Sequence, residues 1–274
     1  MFIKRIFVIL TSLIITFLMY PQTNKQLTSA AENGLVYTSL LINNKDDYDV
    51  KSSDEDKIDI VFTMDDGWKT QYTEGYRILS NYGFKGSIGV IPSRVGEENF
   101  MTYREISDLY MKGWSIVNHS YNHLDSYKNT SEEVEDIESA REWMDSKLLK
   151  SGSNIYIAPN GYINEGSIKA LKNMGYKGIR TLKELIVFDD NSENRKYEII
   201  NITTDRKLED LMIDIDNCIV EGKDIIFVSH KFGEENDGTG MYYKVSEFEN
   251  LVKFIKSKED SVEVKTFTEY FNGK

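Results

Sequence analysis

The stretch IDIVFTMDDGWKT, residues 58–70, decides how the rest of the chain is read. Ile60, Val61 and Phe62 are consecutive and apolar, the pattern of a strand buried on both faces, as in a parallel sheet. The run ends in adjacent carboxylates, Asp65 and Asp66, and Gly67 turns the chain directly afterwards. Two like charges at the mouth of a buried strand repel each other. A bound cation is the obvious means of offsetting that repulsion.

Outward from this strand, short β-rich runs alternate with amphipathic helical patterns. GSIGVI, WSIVNH, NIYIAP, GIRTL, EIINIT, IIFVSH and VEVKTF read as further strands. Between most of them lie helical segments such as YREISDLYMKG and LEDLMIDIDNCIVEG, several ended by a glycine (Gly83, Gly113, Gly175, Gly222). Alternation of this kind implies a mostly parallel sheet with helices outside it. The number of repeats favours a complete or distorted barrel over an open sheet, in a single catalytic domain spanning 58–274. In either architecture, ligand chemistry gathers at the carboxyl ends of the strands.

The chain has 274 residues, 40% of them hydrophobic and 28% charged, with a formal net charge of -12. That balance argues against nucleic acid or another polyanion as partner and favours a neutral or amine-bearing polymer such as a glycan. Lys4 and Arg5 precede an apolar run from Ile6 to Tyr20, and small residues follow at Ser29-Ala30-Ala31. This reads as a secretion signal over 1–31, with an uncleaved membrane anchor as the alternative, although the run is shorter than the ~20 residues of a bilayer span. Residues 32–57 are polar and acidic and read as a linker. Export to the outside of a bacterial cell, secreted or anchored, is the expected location. The single cysteine, Cys218, excludes an intrachain disulfide and falls on a helical pattern as a small buried residue. Oligomeric state has no signature in the sequence.

All three histidines fall at predicted strand ends. WSIVNHSYNH supplies His119 and His123, whose spacing would place both on one face of a helical turn. IIFVSH ends at His230. The strand-end rule therefore gathers Asp65, Asp66, His119, His123 and His230 on one face of the barrel. Each alone is a weak signal, since DDG is common in turns and H-x-x-x-H is frequent without a metal. Their coincidence is the argument. Two imidazoles and a carboxylate form an open divalent site suited to Zn2+, with Co2+ or Ni2+ acceptable by ligand type. One aspartate would ligate the cation while the other accepts a proton. Asp65 as base and His230 as acid describe metal-assisted hydrolysis of an amide or ester.

The motifs TMDDG, HSYNH, APNG and VSH, in this order, resemble those of the polysaccharide deacetylases of NodB-homology type, carbohydrate esterase family 4. The resemblance runs from about Ile58 to Phe271. It implies a distorted (β/α)7 barrel that removes acetyl groups from N-acetylglucosamine polymers, or O-acetyl groups from xylan. By position it implies Asp65 as base, Asp66, His119 and His123 as metal ligands, and His230 as acid. The family's third motif, R-x-P-[FY], is altered: Ile157 stands at the arginine position and Asn160 at the aromatic one. The family's arginine pairs with the base. Arg180, at the next strand end, is the expected replacement. Absence of the motif arginine, together with His123-Leu124-Asp125, resembles the branch acting on poly-N-acetylglucosamine. The fourth motif is not recognisable.

Three residues are expected to meet the substrate. Trp68 offers a ring face to a sugar, with a core role as the alternative. Asn160 occupies the motif's aromatic position, and Tyr162 brings a hydroxyl or an adjacent amide toward the oxyanion. Residues 233–243 read as a mobile loop over the site. The acidic run from Glu132 to Glu138 reads as a solvated helix face. A glycan-binding relative without turnover is the competing class.

Overall fold

The computed structural model describes residues 57–188, 196–234 and 238–273. The chain divides into two units, Met1–Ser53 and Asp54–Lys274, and every described residue belongs to the second. The expected signal segment, and the linker as far as residue 56, lie outside the described residues.

Strands β1 (Ile58–Met64), β2 (Ser87–Val90), β3 (Ser115–Asn118), β4 (Gly152–Ile157) and β5 (Gly178–Arg180) are laid side by side in parallel. Beyond β5 lies β6 (Leu185–Val187), which runs antiparallel to it. On the other side of β1 come β8 (Asp224–Ser229) and then β7 (Tyr197–Asn201), both parallel. A short separate pair, β9 (Lys231–Phe232) and β10 (Tyr242–Tyr243), follows β8. The last strand, β11 (Val262–Lys265), shares one edge of β1 with β2: Ile58–Val61 pair with β11, then Thr63 and Met64 pair with β2. The sheet curls until its edge strands meet. There the Tyr197 hydroxyl accepts the Leu185 N–H at 2.9 Å and donates to the Leu185 carbonyl at 3.3 Å. A side chain thus spans the seam between β6 and β7. This is the barrel expected from the alternation, in the distorted (β/α)7-type form that the resemblance implies.

Helices pack outside the sheet. A π-helical turn, Gln71–Tyr76, runs into α1 (Arg77–Asn81). Then come α2 (Tyr103–Met111), α3 (Thr130–Ser146), α4 (Glu165–Asn173), α5 (Leu208–Glu221) and α6 (Val245–Lys256). Their starts carry the expected chemistry; Thr102 and Glu105, for example, close a reciprocal capping box on α2. Helix α5 stops at Gly222, whose φ of 63° is the left-handed C-cap geometry. Its Cys218 is buried, and burial pushes the thiol up to about 11.

Strand alternation sorts β1 between two cores. Ile58, Ile60, Phe62 and Met64 join the cluster under the helices, and Val61 joins Val117, Ile155, Ile157 and Ile226 inside the barrel. The amino end of the barrel is stoppered by α7 (Phe267–Asn272), which inserts Phe267, Tyr270 and Phe271 into the interior cluster. Burial of each such ring contributes about 1.5–3 kcal/mol. VEVKTF was expected to be strand as far as Phe267, but β11 ends at Lys265 because Thr266 caps α7. The Glu269 carboxylate accepts the Thr266 N–H at 2.7 Å, and Thr266 Oγ1 accepts the Glu269 N–H at 3.3 Å. The T-x-x-E spacing was available in the sequence. With this end closed, the carboxyl ends of the strands are the face left for chemistry.

Candidate active site

Asp65 continues the inward-facing set of β1, and its N–H donates to the Ser229 carbonyl of β8 at 2.8 Å. Strict alternation would aim Asp66 the other way, toward the helices. Instead Asp66 adopts φ = 79° and Gly67 φ = 80°, a left-handed turn that swings the second carboxylate back over the barrel mouth. Aspartate tolerates this region better than most side chains, and glycine enters it freely. Two consecutive carboxylates therefore serve one site because the chain turns left-handed at Asp66.

His119 and His123 are not on a helix. They lie in the loop after β3, where Ser120 (φ = 58°) and His123 (φ = 53°) are both left-handed. The four-residue spacing is bridged by a turn in which His123 N–H donates to Ser120 Oγ at 3.0 Å and Ser120 N–H to Asn118 Oδ1 at 2.9 Å. Asn118 in turn donates to the Ile137 carbonyl of α3 at 2.9 Å. The expected helical face is thus replaced by a loop with the same result: both imidazoles meet Asp66. His119 Nε2 and His123 Nε2 lie 3.2 and 3.4 Å from Asp66 Oδ1, and ligand atoms of the three residues all fall within 4.8 Å of one another. Gly89 packs beside His119: a Cβ there would sit 3.3 Å from Ile157 Cδ1 and 3.4 Å from Cβ and Cγ of His119.

The donor set fits a divalent cation. His119 Nδ1 is 2.8 Å from the Ile157 carbonyl; as the donor in that bond it leaves Nε2 as the ligand nitrogen. Burial acts to raise the Asp66 pKa, but the His119 bond and the charges of the three imidazoles outweigh it and hold the carboxyl well below its usual range. His119 shows the converse: burial lowers it, yet its bond to Asp66 and the charges of Asp65 and Asp66 raise it overall. His123 is lowered, by burial first and then by His119. Such a carboxylate and imidazole set can exchange shared protons for a metal ion.

Arg180 is completely buried at the end of β5, and its Nη2 lies 2.5 Å from both oxygens of Asp65, itself 3% exposed. Ile157, at the third-motif position, is the register partner of Arg180 on the neighbouring strand. The arginine thus stands one strand over at the same height in the barrel. Among the described residues, its Nε and Nη1 have no hydrogen-bond partner. His230 follows β8, half-buried, and its Nδ1 likewise has no hydrogen-bond partner there.

Several residues take on work that the sequence did not suggest. Gln71, buried in the π-helical turn, donates to the carbonyls of Asp65 and His230, the latter at 2.8 Å, and so ties the ends of β1 and β8 together. No single-sequence signal marks it. The acidic run, expected to be solvated, buries Glu133 and Asp136. Asp136 accepts from Asn122 N–H at 3.2 Å, Asn122 Nδ2 at 2.6 Å and the Tyr127 hydroxyl at 3.0 Å, which pins the His123 loop to α3. Glu133 accepts from Ser167 Oγ at 2.5 Å, linking α3 to α4; burial raises its pKa. The period of α3 that puts these two carboxylates on its inner face was present in the sequence, but charge counts obscured it.

The expected substrate residues fare differently. Trp68 donates its indole N–H to Asp66 Oδ2 at 2.7 Å, and its ring lies against Phe100 and under Lys231, so the face expected to meet a sugar is covered. The Tyr162 amide is engaged with the Pro159 carbonyl at 3.1 Å, which removes it as an oxyanion donor, and its ring is 71% exposed. Asn160 sits exposed in the same turn with φ = 52°. Of the expected mobile loop, residues 235–237 lie outside the described residues; its last two residues form β10, paired with β9 directly before the loop.

A barrel with two histidines and an aspartate clustered at its carboxyl end, beside an arginine-held carboxylate, defines a class of candidate metallohydrolase. The comparisons carry this further. The polysaccharide deacetylase family matches residues 52–179. YxkH of Bacillus subtilis (strain 168), a candidate polysaccharide deacetylase, is 26% identical over 123 residues, which span 44% of this chain and 44% of that protein. The fold is similar to that of a candidate polysaccharide deacetylase from Mycobacterium smegmatis, at TM-score 0.56 and 14% identity over 79% of this chain and 89% of that one. It is also similar to the CE4 domain of a multidomain xylanase from the hindgut metagenome of Trinervitermes trinervoides, at TM-score 0.51 and 19% identity over 78% and 90%. The family match over residues 52–179 and the relative YxkH support a polysaccharide deacetylase, and the solved structures share its fold.

Proposed function

We propose that the chain is an exported, metal-dependent hydrolase that removes N-acetyl groups from N-acetylglucosamine residues of a cell-surface or cell-wall polysaccharide. The observation that carries this reading is the buried Asp65–Arg180 pair set beside the Asp66, His119 and His123 cluster. Asp66, His119 and His123 would hold the divalent ion, with Zn2+ preferred and Co2+ or Ni2+ acceptable. When bound, the ion supplies Lewis acidity that polarises a carbonyl and acidifies water. Asp65 accepts the proton of the attacking water at its carboxylate, whose plane Arg180 fixes through Nη2. His230, which directly follows β8, gives a proton to the departing amine. Asn160 and Tyr162 are assigned contact with the glycan from the rim. The contact of Arg180 with Asp65 speaks against a binding-only relative, since the missing third-motif arginine was the reason to consider one.

Export rests on the N-terminal pattern from Lys4 to Ala31; among the described residues no helix is long and apolar enough to cross a membrane. Acetate release by the metal-replete protein, measured on acetylated chitooligosaccharides, poly-N-acetylglucosamine, peptidoglycan and acetylxylan, tests the activity. Release from an amino-sugar polymer, abolished by Asp65→Asn, is expected. Release from acetylxylan alone would make it an O-acetyl esterase, and binding without release under Zn2+, Co2+ or Ni2+ would refute the enzyme reading. Intact mass of the exported chain distinguishes cleavage near Ala31 from anchoring.

A further inference from the structure

The two oxygens of Asp66 have different neighbours. Oδ1 faces the two imidazoles, and Oδ2 accepts the Trp68 indole N–H at 2.7 Å. An indole has one donor and no acceptor, so this bond uses its whole hydrogen-bonding capacity. We infer that Trp68 is a positioning residue of the cation site: its N–H holds Oδ2 and turns Asp66 so that Oδ1 alone is presented beside His119 and His123. The inference rests on the assignment of those three residues to a metal.

The ring that carries this N–H is fixed from every side. Two backbone bonds, Lys69 N–H to the Asn99 carbonyl at 2.7 Å and Met101 N–H to the Gly67 carbonyl at 2.9 Å, clamp the turn against the loop 96–101. Trp68 and Phe100 form an isolated antiparallel bridge, and their rings stack with centroids 4.2 Å apart at 24°. The Lys231 ammonium lies 4.1 Å from the Trp68 ring centre. Two groups at this distance cannot share one face of the ring, so both faces are covered and neither is open to a pyranose. The column continues at both ends, with Arg94 5.8 Å from the Phe100 centroid and Lys231 5.2 Å from that of Tyr242. Cation and aromatic contacts of this kind hold ring planes in place.

The physical consequence concerns Asp66, which sits in a left-handed turn with the Trp68 indole N–H on Oδ2. Without the indole N–H, both oxygens are free to turn toward the imidazoles, and the order imposed before binding is lost. Groups that orient a metal ligand are worth about 10–100-fold in metal affinity.

Trp68→Phe keeps the stack and removes only the N–H, so it is the variant of choice, with Lys231→Met loosening the column from the other side. The full chain is titrated with Zn2+ against a chromophoric chelator, and the visible spectrum of the Co2+ form is recorded. Trp68→Phe is expected to weaken Zn2+ binding about 10–100-fold and to alter the Co2+ spectrum, with the unfolding midpoint of the metal-free protein little changed. Lys231→Met is expected to weaken binding by a smaller factor. Wild-type Zn2+ affinity and an unaltered Co2+ spectrum in Trp68→Phe overturn the inference, as does a rise in KM with metal binding intact, which would return Trp68 to the glycan. The double variant His119→Ala, His123→Ala separates the two levels. If it retains stoichiometric metal, the assignment of the cation site fails; if it loses metal while Trp68→Phe binds normally, only the role of Trp68 fails.

Discussion

Replacing Arg180 by methionine removes the guanidinium while keeping most of its volume in a position with no solvent access. Asp65 is then a buried carboxylate without its only described ion-pair partner, next to the Asp66 carboxylate. Breaking a buried pair from one side costs about 3–5 kcal/mol. Two of the Arg180 nitrogens lack partners among the described residues, an existing cost that the substitution relieves, so the lower end of that range is expected. For a domain of this size each kcal/mol shifts the melting temperature by roughly 2–4 °C, which gives a fall of about 6–12 °C for ~3 kcal/mol. Calorimetry in the presence of a chelator removes the contribution of bound metal. Asp65→Asn should also destabilise, because it strands the buried arginine. The double variant should lose at least about 2 kcal/mol less than the sum of the singles, as neutralising both members removes the stranded charge. Turnover should fall about 10²-fold in Arg180→Met through misplacement of Asp65, with KM little affected. Strictly additive stabilities, or wild-type turnover in Arg180→Met, would refute the reasoning.

Three further outcomes are expected. Chelation should abolish acetate release and lower the melting temperature; re-addition of Zn2+ at 100 times its Kd contributes about 2.7 kcal/mol, or roughly 5–10 °C, by differential scanning fluorimetry. Asp136→Ala removes three acceptor bonds from the His123 loop, so metal affinity measured by competition should drop about tenfold, with a stability loss of about 1–3 kcal/mol. Because Ile157 and Arg180 are register partners, Ile157→Arg combined with Arg180→Ile should recover in acetate-release assays most of the activity that Arg180→Ile alone loses.

Much of the site was legible because strand ends are legible. Asp65, His119 and His230 each follow a short apolar run, and parallel strands bring their carboxyl ends to one face whatever the helices between them do. Arg180 was legible in the same way, as a cation at the end of the adjacent strand. Trp68 was read for its ring, when the structure uses its N–H. Asp136 and Glu133 were read as charge, when their position on the inner face of α3 makes them hydrogen-bond acceptors for the His123 loop and for α4. In each case the residue type was noticed and its direction was not.

Direction is what the chain cannot state locally. The sequence by itself determined the alternation of strands and helices, the set of ionisable residues at the strand ends, and the loss of the third-motif arginine, because hydrophobic period and residue identity are local properties. Only the tertiary structure decided that Asp66 turns back through a left-handed residue to join Asp65, that Arg180 reaches both oxygens of a carboxylate 115 positions away, and that one tryptophan N–H meets the second oxygen of Asp66. Those outcomes depend on the curl and register of the sheet and on contacts between distant segments, which no window of sequence contains.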